Sequence, residues 1–100
     1  MVSACEISVV APVYNGAKYV VELIDRLRAA LSTCVSSFEV VLVDDGSADS
    51  TWSIIKDAAR VDSRVKGVKL SRNFGQHPAI TAGLQHTSGA WVVVMDSDLQ

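Results

Sequence analysis

Two carboxylates one residue apart, Asp96 and Asp98, follow directly on the apolar run Ala90-Trp91-Val92-Val93-Val94-Met95. An Asp-x-Asp at the tip of a strand presents hard oxygen ligands suited to Mg2+ or Mn2+, and such an ion can in turn hold a diphosphate. Three earlier segments also end in residues suited to ligand contact: Tyr14-Asn15, Asp44-Asp45 and Ser71-Arg72. A tyrosine can stack on a base, and an aspartate can accept from a base N–H or a ribose hydroxyl. Ser47 has no base at a recognisable spacing and is not read as a nucleophile. Phosphate-loop chemistry is excluded, because no Gly-x-x-x-x-Gly-Lys occurs. Asn15-Gly16-Ala17 carries one glycine where a dinucleotide fingerprint needs three.

These groups need elements to position them. Ile7 to Val13 is β-rich and apolar, with Pro12 marking its end because proline cannot donate to a ladder. From Lys18 to Ser32, Val20, Ile24, Leu27 and Leu31 recur at helical spacing against charged neighbours. Phe38 to Val43 reads as a second strand. After it Gly46 permits a tight turn, and Ser47, Asp49 or Ser50 can cap a helix running to Val61. That helix turns Trp52, Ile55 and Ala59 inward. Val65 to Leu70 is a shorter strand expected near an edge. Pro78 suits the first turn of a third helix reaching about Thr87, with Ile80 and Leu84 inward and Gly83 letting the backbone approach the sheet. The run from Ala90 fits a strand buried on both faces, with Trp52 and Trp91 both expected in the core.

The order βαβαβαβ with short connections implies right-handed crossovers and a parallel α/β sheet with helices on both faces. All carboxyl ends of such a sheet share one edge, and ligands bind there. Tyr14-Asn15, Asp44-Asp45, Ser71-Arg72 and Asp96-Ser97-Asp98 are therefore expected to converge on one rim, fit for a nucleoside diphosphate and its metal.

Composition narrows the class. One hundred residues, 49% hydrophobic and 20% charged, suit one globular unit. A net charge of −2 without a basic block argues against nucleic acid. No signal-peptide pattern and no apolar run long enough to span a bilayer occurs. Cys5 and Cys34 lack metal-site spacing and are expected as reduced core cysteines of a cytoplasmic protein.

Three segments, Val9-Val10-Ala11-Pro12-Val13-Tyr14-Asn15, Val43-Asp44-Asp45-Gly46-Ser47 and Met95-Asp96-Ser97-Asp98, resemble the successive signatures of glycosyltransferase family 2. Leu70-Ser71-Arg72-Asn73-Phe74-Gly75-Gln76-His77 and Asp98-Leu99-Gln100 are similar to the branch that loads sugars onto polyprenyl phosphates, dolichyl or undecaprenyl. The resemblance covers nearly the whole chain. It implies the Rossmann-like N-terminal half of a GT-A fold, with residues 1–100 as the donor-binding part of a domain cut after the Asp-x-Asp.

Carried over to this chain, the resemblance implies that Pro12 and Tyr14 line the base pocket. Asp45, supported by Asp44, contacts base or ribose, and Arg72 lies near the donor site or orders the loop over it. Asp96 approaches ribose and metal, and Asp98 is the main ligand for Mg2+ or Mn2+; Asn15 and Ser97 belong to the same nucleotide-sugar site. Many branch members carry glutamates where this chain has Gly16 and Ala17, so no acidic donor contact is expected there. The implied partners are a UDP- or GDP-sugar and a lipid-phosphate acceptor, at the cytoplasmic face of a membrane. The implied reaction inverts the anomeric centre.

The chain halts two residues after Asp98, which points to a longer enzyme cut short or to a designed piece. No catalytic residue is assigned within it; acceptor site, base and any membrane helices are expected beyond Gln100. The piece itself is expected to bind nucleotide weakly without turnover. The competing readings are a nucleotidyltransferase, which lacks its Gly-rich basic loop here, and a non-catalytic module that associates with itself through an exposed sheet edge.

Overall fold

In the computed structural model, which describes residues 6–96, four parallel strands alternate with three helices. They are β1 (Ile7–Val13), α1 (Val20–Cys34), β2 (Phe38–Asp44), α2 (Thr51–Val61), β3 (Val65–Lys69), α3 (Gln76–Leu84) and β4 (Trp91–Val94). The spatial order is β3-β2-β1-β4. β1 pairs along its whole length with β2, from Ile7↔Phe38 to Val13↔Asp44, and with β4 from Ile7↔Trp91 to Val10↔Val94. The expected parallel α/β sheet with helices on both faces is the fold observed.

β1 and β2 form the centre because their β-branched side chains are covered on both sides. Alternation sends Ala11, Val13, Val40 and Leu42 towards α1 and α2, where Val20, Leu23, Ile24 and Ile55 bury against them. Val10, Val41 and Val43 point to α3 and meet Ala79. α1 begins two residues later than its periodicity indicated, with Leu27 and Leu31 partly buried against the core as expected. Pro12 lies in β1 where the next rung towards β4 would fall, since Met95 N–H already donates to Val10 O and the β4 ladder ends at Val94.

Several expectations are corrected. β4 is the open edge of the sheet instead of a doubly covered strand: Trp91 is 74% exposed and Val92, Val93 and Val94 are 40–46% exposed. The helices pack mainly over β1, β2 and β3, and β4 leans chiefly on β1. An apolar run in sequence thus marks a strand without saying that anything covers it. Trp52 is partly buried against the core as foreseen, whereas Trp91 is not a core residue. α3 faces the sheet through Ala79 and Gly83, and Leu84 is exposed. The reason is proximity: a Cβ on Gly83 would sit 2.5 Å from Val10 Cγ1 and 2.8 Å from Val43 Cγ2, so only small residues fit the contact. Cys34 ends α1 exposed and is no core cysteine; Cys5 lies outside the described residues. The edge position of β3 is as expected.

Polar groups close the end of the sheet where the strands begin. Glu39, buried at the start of β2, accepts from Ser8 Oγ at 2.5 Å and from Ser88 N and Oγ at 2.6 and 3.1 Å, and pairs with Lys66 Nζ at 2.6 Å. Burial pushes its carboxyl upward, but the lysine and the three hydroxyl and amide donors outweigh that and hold it at about 2, against an ordinary 4.5. A second cluster joins the helices. Asp62, just past α2, takes both Arg64 and Arg28 of α1, and the Arg64 guanidinium also lies 4.6 Å over the Phe38 ring.

Because the folded-state value for Glu39 lies below the unfolded one, its contribution to stability is complete above pH 4.5 and disappears as pH falls towards 2. Urea unfolding between pH 6 and pH 2.5 should show stability dropping through that window. In Glu39→Gln the part of the drop due to this carboxyl should be absent.

Candidate functional site: a cleft at the strand tips

At the opposite end of the sheet the loops after β1, β2, β3 and β4 border an open cleft of about 450 Å3. Pro12, Tyr14, Asp45 and Asp96 line it, together with Asn73 and Gly75 from the β3–α3 connection, Gln76 at the start of α3 and Tyr19 from the β1–α1 loop. Four segments distant in sequence therefore meet on one rim. Parallel pairing makes this unavoidable once the register of β1 with β2 and β4 is set.

The neighbouring aspartates Asp44 and Asp45 go different ways. Asp44 is the last residue of β2 and shares the parity of Leu42, so its side chain lies on the α1/α2 face, fully buried. There Oδ1 accepts the Ser47 N–H at 3.0 Å and shapes the turn into α2, while Oδ2 is buried with no hydrogen-bond partner among the described residues. Asp44 does not line the cleft. Asp45, 4% exposed, falls on the α3 face and does.

Asp45 is also the anchor of the β3–α3 loop. Its Oδ1 accepts the Phe74 N–H at 2.9 Å, and its Oδ2 accepts the Gly75 N–H at 3.1 Å and the Asn73 Nδ2–H at 3.3 Å. Three donors on one carboxylate form charge-assisted hydrogen bonds that fix the loop against the cleft. Gly46 allows the approach. Its φ is +73°, and a Cβ there would lie 2.2 Å from the Arg72 carbonyl carbon and 2.3 Å from Asn73 N. Arg72 is exposed, with its guanidinium 4.5 Å over the Phe74 ring of the same loop, and it is not among the residues that line the cleft.

The β1–α1 loop is stitched to the β2–α2 loop. Asn15, in the left-handed region at φ 50°, donates its N–H to Ser47 Oγ at 2.8 Å and accepts the Ala48 N–H on Oδ1 at 2.9 Å. Gly16 N–H donates to Thr51 Oγ1 at 2.8 Å and Ala17 N–H to Asp49 Oδ2 at 3.1 Å. Asp49 also accepts the Thr51 N–H at the start of α2, but the N-cap position is Ser50 and makes no side-chain cap hydrogen bond, so none of Ser47, Asp49 and Ser50 caps the helix in the expected way. The Thr51 hydroxyl, first among its donors, lowers the Asp49 carboxyl below its usual range. Asn15 is thus a clamp between loops. Tyr14, half exposed, is left facing the cleft.

Of the residues singled out in the sequence, Pro12, Tyr14, Asp45 and Asp96 are brought together. Asn15, Asp44 and Arg72 buttress the surrounding loops. Ser97 and Asp98 lie outside the described residues. Asn73, Gly75, Gln76 and Tyr19 were missed; the cue was available, since a β3 tip adjacent to β2 must set its loop beside Asp45. Among the described residues no three acidic, histidine or cysteine groups form a metal cluster, so Asp96 is the described candidate ligand.

A model of the family described as glycosyl transferase family 2 matches residues 8–100. The chain belongs to glycosyltransferase family 2. This family 2 chain is 48% identical over 95 residues to an undecaprenyl-phosphate 4-deoxy-4-formamido-L-arabinose transferase of Edwardsiella ictaluri, covering 94% of this chain and 29% of that protein. It is 45% identical over 95 residues to the enzyme of the same name from Aeromonas hydrophila, with the same coverage. The chain spans under a third of the length of these curated relatives. Among solved structures, S. aureus TarS 1-349 in complex with UDP-GlcNAc superposes with a TM-score of 0.78 at 33% identity, over 93% of this chain and 26% of that one. The mannosyltransferase PcManGT from Pyrobaculum calidifontis, in complex with GDP-Man and Mn2+, gives 0.80 at 28% identity, over 96% and 28%.

Replacing Asp45 by alanine removes the acceptor for three donors at the edge of the cleft. A hydrogen bond to a charged group contributes about 1.5–3 kcal/mol, but these donors are only partly buried and water can replace most of what the carboxylate supplied. Asp45→Ala should lower stability by about 2–3 kcal/mol in urea unfolding. Hydrogen exchange at the Phe74 and Gly75 amides should accelerate more than that in the β1–β2 ladder.

Proposed function

We propose that this chain is the donor-binding part of a GT-A glycosyltransferase domain, taking a nucleoside-diphosphate sugar in the cleft at the strand tips. The observation that carries this is the meeting of Tyr14, Asp45 and Asp96 in one cleft from three separate loops. A half-exposed tyrosine gives a base a face to stack on. Asp45 keeps lone-pair capacity for a base N–H beyond the three donors it holds. Among the described residues the cleft is lined by acidic side chains and by no lysine or arginine, so a diphosphate entering it meets repulsion unless a cation comes with it.

Mg2+ and Mn2+ fit that donor set: they favour carboxylate oxygen, take one or two protein ligands, and fill the rest of their shell with water and phosphate. Asp96 and Asp98 would hold the ion, with Ser97 between them at the nucleotide-sugar site. Bound there, the ion supplies charge neutralisation for the departing nucleoside diphosphate. The chain's own residues orient the donor: Pro12 and Tyr14 at the base, Asp45 at base or ribose, Asp96 at ribose. Asn15, Asp44 and Arg72 keep those loops in place.

The names of the relatives favour undecaprenyl phosphate, and hence a lipid-phosphate acceptor, for the whole protein. A phosphate acceptor is already a competent nucleophile, so one inverting displacement suffices with little help from a base. The acceptor site and any base belong to the portion of the relatives' length that this chain does not span. Transfer to a lipid phosphate belongs at the cytoplasmic face of a membrane; no described helix is long and apolar enough to cross one. A second reading, self-association, is favoured by the open β4 edge with its exposed Trp91 and valines.

Calorimetry with UDP and with GDP, each with and without Mn2+, tests the proposal. The expected outcome is binding of one nucleotide that requires Mn2+ and weakens at least tenfold in Asp98→Ala. Absence of binding with either nucleotide, or binding indifferent to metal and to Asp98→Ala, would overturn it.

A further inference from the structure

β4 is a poorly supported strand for one that carries a cleft residue. It is four residues long, borders solvent on one edge, and is exposed on both faces. Its ladder is bounded by Trp91 N–H to Glu6 O and Met95 N–H to Val10 O, each 3.0 Å. Val10, Val13 and the rest of the inner strands are locked by burial; nothing comparable selects the register of β4. Register matters because the side-chain period is two. A slip of one residue would move Asp96 from the α3 face to the α1/α2 face and send Met95, which packs on the core there, the other way.

What does select the register lies at the far end of the same face. Ser88 gives Glu39 Oε2 both its N–H, at 2.6 Å, and its hydroxyl, at 3.1 Å. Gly89 N–H donates to Ser8 Oγ at 2.8 Å, and that same hydroxyl donates to Glu39. Gly89 packs so close that a Cβ would lie 2.6 Å from Ser8 N. The residues just before β4 are thus tied at three points to β1 and β2. Lys66 neutralises the buried carboxylate from β3. From these ties β4 carries the chain along β1 towards Asp96, which lies about 17 Å beyond Trp91 at about 3.3 Å per residue.

We infer that Glu39, with Ser8 and Ser88, is a positioning device for the cleft: the buried cluster sets the register of β4 on β1 and thereby the face on which Asp96 emerges. Glu39 touches no ligand; it acts through the strand. The effect on nucleotide affinity rests on the reading of the cleft given above, while the effect on register does not.

NMR of the 100-residue chain carrying Glu39→Gln or Ser8→Ala tests this. Contacts between the Met95 methyl and the α1/α2-face core report register, and contacts among Leu23, Leu42 and Ile55 report general integrity. The expected result is at least a fivefold loss of Met95 contacts with the inner-core contacts retained, and about a tenfold rise in the Kd for UDP with Mn2+. Met95 contacts at wild-type strength in both variants, or lost only in step with the inner core, would overturn the inference. So would a selective loss that leaves nucleotide affinity unchanged. If the unsubstituted chain binds no nucleotide, the functional reading fails instead, and the Met95 contacts alone decide the role of Glu39.

Discussion

Everything in this molecule depends on β1 being hydrogen-bonded in parallel to two neighbours at once. With β2 on one side and β4 on the other, the three strands end at the same edge, and residues more than eighty positions apart in sequence become neighbours. Alternation of side chains then sorts the residues at that edge. Pro12, Asp45 and Asp96 share the α3 face and meet in the cleft, while Asp44 goes to the other face and shapes the turn into α2. The packing of β1 and β2 secures the arrangement, since a slip in either would exchange the side chains fitted to its two covered faces.

The chemistry at the rim divides between groups that face the cleft and groups that hold them. Asp45 does both, accepting three donors from the β3–α3 loop while lining the cleft. Asn15 clamps two loops, and Gly46 admits a backbone at contact distance. At the opposite end of the α3 face the buried Glu39 cluster ties down the entry to β4. The two ends of one face are therefore unlike in kind, one open and acidic, the other closed and charge-paired.

Much of this was legible in the chain before its coordinates. Helical spacing located α1 and α2, the β-branched runs located β1 and β2, and Gly83 signalled close packing of α3. The motifs around Tyr14, Asp45 and Asp96 pointed to one rim and to the family. Two things were not legible, and a third was legible but not drawn. Whether Trp91 and its valines were covered depends on which elements reach over β4, and local pattern holds no information on that. Leu84 was placed inward by periodicity, whereas the sheet lies too near α3 for anything larger than alanine or glycine on the contact face. The separate destinations of Asp44 and Asp45 followed from alternation and could have been deduced, had the strand's last residue been fixed.

The central claim is that a nucleoside diphosphate with its cation settles at the rim where the strands end. Paramagnetic broadening of amide signals by Mn2+ in the presence of UDP or GDP measures this most directly. The account predicts the steepest broadening at Tyr14, Asp45, Gly75 and Asp96, and the least at Ser8, Glu39 and Ser88. Broadening centred on the Glu39 end, or spread evenly over the molecule, would contradict it.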